Sequence, residues 1–218
     1  FFCVTDKVGG RHSTELAPPQ QRTLGRLLAR VHNIGTSIAA TQRLRLTPQT
    51  YGWDNVAYLL NSPLLPDHTR IAYQSVVEPL LRIADASFQQ TSLIRLHGDC
   101  HLGNVLWNEE LPTLLDFDDM LFGPSVQDIW LVNPGRDDAS RKRQEELLEG
   151  YNELRNFNME ELRLIEILRA LRIIHFEAWI AKRWEDPSFQ RTFPHFGSNT
   201  YWREELAALT EVGELLHR

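Results

Sequence analysis

The sequence predicts an α+β fold, mostly helical, with a small β-hairpin beside its functional loop. Apolar residues recur at helical spacing over four long stretches. The strand-rich part is residues 92–117. Between the first two of those strands the stretch "LIRLHGDCHLGNVLW", residues 93–107, crowds two histidines, an aspartate, a cysteine and an asparagine around two glycines. The 218 residues suffice for one domain, or one and a small part, with a substantial core.

Composition excludes several classes of function. The apolar fraction is 42% and the charged fraction 24%, as in ordinary globular proteins. With a net charge of −6 and no long basic run, the footprint of a nucleic-acid binder is missing. No apolar run approaches the length of about 18 residues that a membrane helix needs, and no secretory signal is visible in the residues given. Cys3 and Cys100 form no disulfide framework, which points to a reducing, cytoplasmic setting.

Residues 1–5 read as a strand, closed by the turn signal Val8-Gly9-Gly10-Arg11. From Pro18-Pro19 a helix should run to about His32, with Leu24, Leu27, Leu28 and Val31 on one face and Gly35 just beyond its end. Residues 36–66 show little period. Asp67 should cap a helix with Ile71, Val76, Leu80 and Ile83 on one side, kinked or split at Pro79. Residues 92–96, 104–107 and 113–117 read as strands, the last two forming a hairpin. A short helix over 125–131 should stop at Asn133-Pro134-Gly135. Residues 137–154 form a charged, exposed helix, and 159–184 a long central one, apolar almost all round. Residues 199–216 close the chain with Trp202, Leu206, Leu209, Val212 and Leu216 on one face.

Three chemistries compete for the loop. His97, Asp99 and His101 alternate and could share a face, but the remaining histidines form no second ligand cluster for zinc. Cys100 as a nucleophile needs a base, and the adjacent His101 cannot easily turn back onto its thiol. Phosphoryl transfer needs an aspartate near the attacking hydroxyl and oxygen ligands for Mg²⁺. Asp99 and Asn104 stand five apart across the loop. The hairpin should bring Asp116, from "LLDFDD", alongside Asn104.

The pattern His97-Gly98-Asp99-x-His101-x-x-Asn104, followed by an apolar strand and Asp116, resembles the aminoglycoside phosphotransferase and choline kinase-like superfamily. "VGGR", "LGRLLARVH", "LDFDD", "GPSVQDIW" and "LRALRIIHFEAWIAKRWEDPSF" resemble, in order, the bacterial stress response kinase A family over nearly the whole chain. That resemblance implies a protein kinase-like C-terminal lobe. It also implies Asp99 as catalytic base, Asn104 and Asp116 as holders of Mg²⁺, ATP as co-substrate, and Asp128 as a brace for the catalytic loop. The acceptor it implies is a Ser/Thr side chain of a protein, with a small hydroxyl compound as the alternative and a non-catalytic kinase-like binding module as a further one.

Residues 1–10 then correspond to the hinge strand and turn, and residues 11–218 to the lobe. Backbone groups of Val4, Thr5, Asp6 and Lys7 would face adenine. A phosphate-covering loop and a strand lysine are not found in these residues. The N-terminal lobe is therefore expected in the parent chain, and the 218 residues alone are expected to transfer little phosphate. His97 and His101 read as loop framework, and Asp119 as a solvated or capping acid. Asp118 reads equally as a second metal ligand or a capping acid. Trp53, Trp179, Arg183 and Trp184 read as core and rim more than as a substrate groove.

Overall fold

The computed structural model describes residues 7, 9–37 and 42–217. The expected first strand, with Val4, Thr5 and Asp6, lies outside the described residues; Lys7 is described and exposed. In chain order the elements are α1 (Pro18–Ser37), α2 (Asp54–Leu60), α3 (Asp67–Phe88), β1 (Ile94–Leu96), β2 (Val105–Asn108), β3 (Leu111–Leu114), β4 (Leu121–Gly123), α4 (Val126–Val132), α5 (Asp138–Asn152), α6 (Ile165–Ala181), α7 (Pro187–Thr192) and α8 (Asn199–Leu216). The predicted α+β class holds: the chain is mostly helical, with two small antiparallel sheets. Two compact units emerge, Phe1–Arg45 with Ser92–Leu162, and Leu46–Thr91 with Arg163–Arg218. Among the described residues no helix is long and apolar enough to cross a membrane.

The first unit is built on the pairing of α1 with α5. A Cβ on Gly25 would lie 2.0 Å from the Leu147 carbonyl oxygen, and one on Gly150 would lie 2.0 Å from that of Arg22. Glycine at both positions lets the backbones touch. Helix α5 exposes its charged face as expected, and its other face buries Leu147, Leu148 and Tyr151. Its outer face carries the exposed pairs Arg22–Glu149 at 2.9 Å and Arg26–Glu153 at 3.0 Å, where water and salt screen the attraction. Gly35 does not end α1 but lies within it. Its missing side chain admits the Arg95 carbonyl, 2.0 Å from where a Cβ would stand.

β2 and β3 form the expected hairpin, with Val105 opposite Leu114 and Asn108 opposite Leu111. Arg11 adds to its outer edge through two 2.9 Å backbone bonds with Trp107. A second sheet pairs β1, within the strand expected over 92–96, with β4, a three-residue strand that was not expected. The Glu161 carboxylate receives the Val126 amide at 3.0 Å and the Ser125 hydroxyl at 2.8 Å, closing the N-terminus of α4.

In the second unit α6 is central, burying Ile167, Leu168, Leu171, Ile174, Ala178 and Ile180 against α2, α3 and α8. The single helix expected over 159–184 is divided, because a tighter turn over Met159–Leu164 precedes α6. Helix α3 runs unbroken through Pro79. Pro79 and Ser75 are both exposed, so the carbonyl that proline leaves without an amide partner can turn to water. The buried face of α3 is Tyr73, Val77, Leu80, Leu81 and Ala84, whereas Ile71 is 82% exposed. Pro66, not Asp67, is the residue at its N-terminal cap. The stretch with little period contains a wide turn, Pro48–Trp53, capped by Thr47 and Thr50, and then α2. Trp179 stacks with Phe176, Phe189 and Phe193 beneath Arg183, and Trp53 donates to Asp85.

Glu177 of α6 is fully buried. The Tyr73 hydroxyl of α3 donates to its Oε2, while Oε1 has no hydrogen-bond partner. Burial, then the charge of Glu205 on α8, pushes this carboxyl well above its ordinary 4.5, against the opposing pull of the Tyr73 bond. The folded state therefore keeps a proton that the unfolded chain releases as pH rises past about 4.5. Its contribution to stability is fully present below that pH and fades as pH rises toward the raised folded-state value. Glu177→Gln cannot ionise. Its stability relative to wild type, from urea unfolding at pH 5, 6, 7 and 8, should improve steadily with pH; a constant difference would contradict a protonated Glu177.

Candidate active site

The loop after β1 is shaped from beneath by one buried side chain. Asp128, in the first turn of α4, accepts the His97 amide at Oδ2 (2.9 Å) and the Gly98 amide at Oδ1 (2.9 Å). Gln127 Nε2 donates to the Gly98 carbonyl at 3.1 Å. Gly98 sits at φ +90°, where a Cβ would come 2.5 Å from the Asp119 carbonyl oxygen. Only glycine fits this bend without displacing backbone. The chain emerges from it with Asp99 half-buried and Cys100 fully buried.

Asp99 and Asn104 are brought together. Asn104 Nδ2 donates to the Asp99 carbonyl oxygen at 3.0 Å, across a single tight turn, Leu102–Asn104. That turn is capped by His101, whose Nδ1 accepts the Gly103 amide at 3.0 Å. Its proton therefore resides on Nε2, which lies 3.4 Å from Asp99 Oδ2. His97 is buried framework: its Nδ1 accepts the Asp99 amide at 3.3 Å, its Nε2 donates to the Leu115 carbonyl at 2.7 Å, and its ring meets Phe117. Both ring nitrogens of His97 are thus engaged within the protein, as the framework reading expects.

Asp116 sits one residue away from the expected register. The Leu115 amide donates to the Asn104 carbonyl at 2.9 Å, so Leu115 stands opposite Asn104 and Asp116 follows, exposed, at φ +58°. The strand ends at Leu114 instead of continuing to residue 117. A left-handed residue turns the chain out of the ladder. Asp118 and Asp119 are exposed; Arg43 donates to the Asp118 backbone carbonyl at 2.9 Å.

The Cys100 thiol is pushed well above its ordinary value by burial, then by the charges of Asp128 and Asp99, so it is no ready nucleophile. Among the described residues no group of three or more His, Cys, Asp or Glu is placed to hold a metal ion. Asn104 and Asp116 offer a different donor set, one neutral oxygen and one carboxylate. The bond from Asn104 Nδ2 to Asp99 keeps the amide nitrogen occupied and leaves Oδ1 as the end available to a cation. Such hard oxygen donors suit Mg²⁺ better than zinc. Beside the loop lies a cleft of about 460 Å³ lined by Thr14, Glu15, His101, Leu102, Asn133 and Arg143, among others.

Two residues behind this site went unread in the sequence. His32 of α1 places Nε2 3.0 Å from Asp128 Oδ2 and Nδ1 2.8 Å from the Tyr151 hydroxyl of α5. The only available signal was that His32 falls on the buried stripe of α1 at four-residue spacing from Leu28.

Residues 1–165 match the model of the phosphotransferase enzyme family, APH. The chain is 32% identical over 217 residues to stress response kinase A of Escherichia coli (strain K12), covering 99% of this chain and 66% of that protein. It is 31% identical over 217 residues, with the same coverage, to the serine/threonine protein kinase RdoA of Salmonella typhimurium (strain LT2). The chain thus spans just under two thirds of the length of these relatives. Among solved structures, amicoumacin kinase in complex with AMP-PNP, Ca²⁺ and its ligand has a similar fold, with a TM-score of 0.64 at 17% identity, covering 89% of this chain and 64% of that one.

The bend at Gly98 gives a direct check. Gly98→Ala sets a Cβ against the Asp119 carbonyl in a backbone region that costs an L-residue about 1–2 kcal/mol before the clash. Thermal unfolding should show a loss of at least about 2 kcal/mol, and unchanged stability would contradict the bend.

Proposed function

The chain belongs to the phosphotransferase enzyme family, and we propose that it carries the catalytic loop of a kinase that moves the γ-phosphoryl group of ATP to a hydroxyl. One observation carries the reading: Asp99 and Asn104 are tied together across a loop whose bend is imposed by Asp128. Asp99 orients the acceptor hydroxyl and takes its proton as the new O–P bond forms and the bond from γ-phosphorus to the bridging oxygen breaks. His101, 3.4 Å from Asp99 Oδ2, helps hold that carboxylate in place. Asn104 Oδ1 and the Asp116 carboxylate are the groups that would hold Mg²⁺; when bound, the ion supplies charge neutralisation at the phosphates. In this reading residues 11–218 belong to the lobe, while the hinge expected over residues 1–10, with Val4, Thr5 and Asp6, lies largely outside the described residues.

For the acceptor, the better-supported choice is a small hydroxylated molecule. The cleft beside the loop, lined by His101 and Leu102 but not by Asp99, has a volume of about 460 Å³, within the usual range of small-molecule sites. The amicoumacin kinase, whose fold this chain resembles, is named for a small ligand. A protein Ser/Thr hydroxyl is the second reading, favoured by the name of the Salmonella relative. Full-length protein incubated with labelled ATP, and offered amino alcohols, aminoglycosides or a protein mixture, separates them by where label accumulates.

In that protein Asp99→Ala should lower kcat by at least about 100-fold while nucleotide affinity stays within about threefold. Asp116→Ala should weaken Mg²⁺-nucleotide binding by at least about tenfold. Near-wild-type turnover in the Asp99 variant would remove it from the role of base.

A further inference from the structure

Asp128 is fully buried, and its oxygens accept two backbone amides and one imidazole N–H. Backbone amides can only donate. The imidazole can donate through one nitrogen and accept through the other, so its usefulness depends on which nitrogen holds the proton. His32 is also fully buried, and Tyr151 is set against its Nδ1 at 2.8 Å. Burial raises the Tyr151 hydroxyl to about 12, with the nearby Arg155 guanidinium pulling the other way, so this hydroxyl keeps its proton at neutral pH. An ionised carboxylate oxygen only accepts, so the His32 nitrogen 3.0 Å from Asp128 Oδ2 carries the ring proton, and the Tyr151 hydroxyl donates to Nδ1. Nδ1 then accepts, the imidazole proton sits on Nε2, and Nε2–H points at Asp128. The direction of donation runs one way, from Tyr151 through His32 to Asp128.

We propose that His32 and Tyr151 are positioning residues of the transfer reaction, a buried relay that fixes the proton direction at Asp128 and through it the aim of Asp99. The relay rests on the phosphotransferase reading for its consequence but not for its geometry. Among the described residues neither is hydrogen-bonded to the loop itself. Their effect passes through Asp128 to the His97 and Gly98 amides, and the bend at Gly98 then directs the next residue, Asp99. If the imidazole proton moved to Nδ1, a lone pair would face a carboxylate at 3.0 Å, and Asp128 would have to turn away from the loop. The acceptor hydroxyl would then meet a misplaced base, while groups that hold nucleotide, on the far side of the turn at Asn104 and Asp116, would be disturbed least. The expected signature is a loss in kcat with little change in nucleotide KM.

The experiment has two readouts in the full-length protein. Nitrogen NMR of the His32 ring in wild type should show a protonated Nε2 and an unprotonated Nδ1 at pH 7, independent of activity. The opposite tautomer, or an imidazolium, overturns the relay. Steady-state kinetics should show His32→Leu losing at least about 100-fold in kcat and Tyr151→Phe about tenfold, each with ATP KM within about threefold. His32→Gln, whose amide N–H can stand near the position of Nε2–H, should recover at least about tenfold over the leucine variant. Equal loss in the Gln and Leu variants, or kcat and ATP KM changing together in proportion to lost thermal stability, would reduce the pair to packing and overturn the proposal. Wild-type protein without any ATP-dependent transfer would instead count against the phosphotransferase reading, with the NMR result still deciding the relay.

Discussion

A carboxylate taken wholly out of water must be repaid in hydrogen bonds, and Asp128 collects its own from the loop that carries the chemistry. Leaving a buried acceptor without its donor costs about 1–3 kcal/mol, and more when the acceptor is charged. Asp128 has three donors, the His97 amide, the Gly98 amide and the His32 imidazole. The demand is mutual, since those amides belong to a bend that no strand or helix satisfies. One side chain on the first turn of a seven-residue helix thus sets the path of a distant segment. The Glu161 carboxylate at the N-terminus of α4 holds that helix in turn.

From this anchor the rest of the site follows by short steps. The bend places Asp99; the Asn104 side chain returns to the Asp99 carbonyl; the Asn104 carbonyl accepts Leu115; and Asp116 leaves the ladder in a left-handed conformation. Each step is a local bond of ordinary length. His97 ties the two ends by bonding the Asp99 amide on one side and the Leu115 carbonyl on the other. The histidines that crowd the loop therefore serve its shape, and the oxygen-bearing side chains are left to the chemistry.

Much of this was legible in the residues. Alternation and turn chemistry located the hairpin, the spacing of Asp99, Asn104 and Asp116 pointed to phosphoryl transfer, and helical periodicity found α1, α3, α6 and α8. What escaped depended on contacts between segments remote in sequence. Gly35 looked like a stop signal, yet it is an opening for the Arg95 carbonyl. The charged pattern of α5 concealed Gly150, whose absent side chain lets that helix lie against α1. The three residues of β4 carry too little period to be read, so the partner of β1 was missed. Asp116 fell one place out of register because a left-handed residue at the strand end leaves no mark in apolar alternation. His32, counted among scattered histidines, gains meaning only beside Tyr151, 119 positions further on.

The most direct measurement of the central claim is native-state hydrogen exchange of the His97 and Gly98 amides. If Asp128 holds the loop as described, both should exchange as slowly as the core amides of α4, opening only when the surrounding structure unfolds. Exchange as fast as at Glu109 and Glu110, in the exposed hairpin turn, would mean that the bend persists without the buried carboxylate, and the account would fail at its first step.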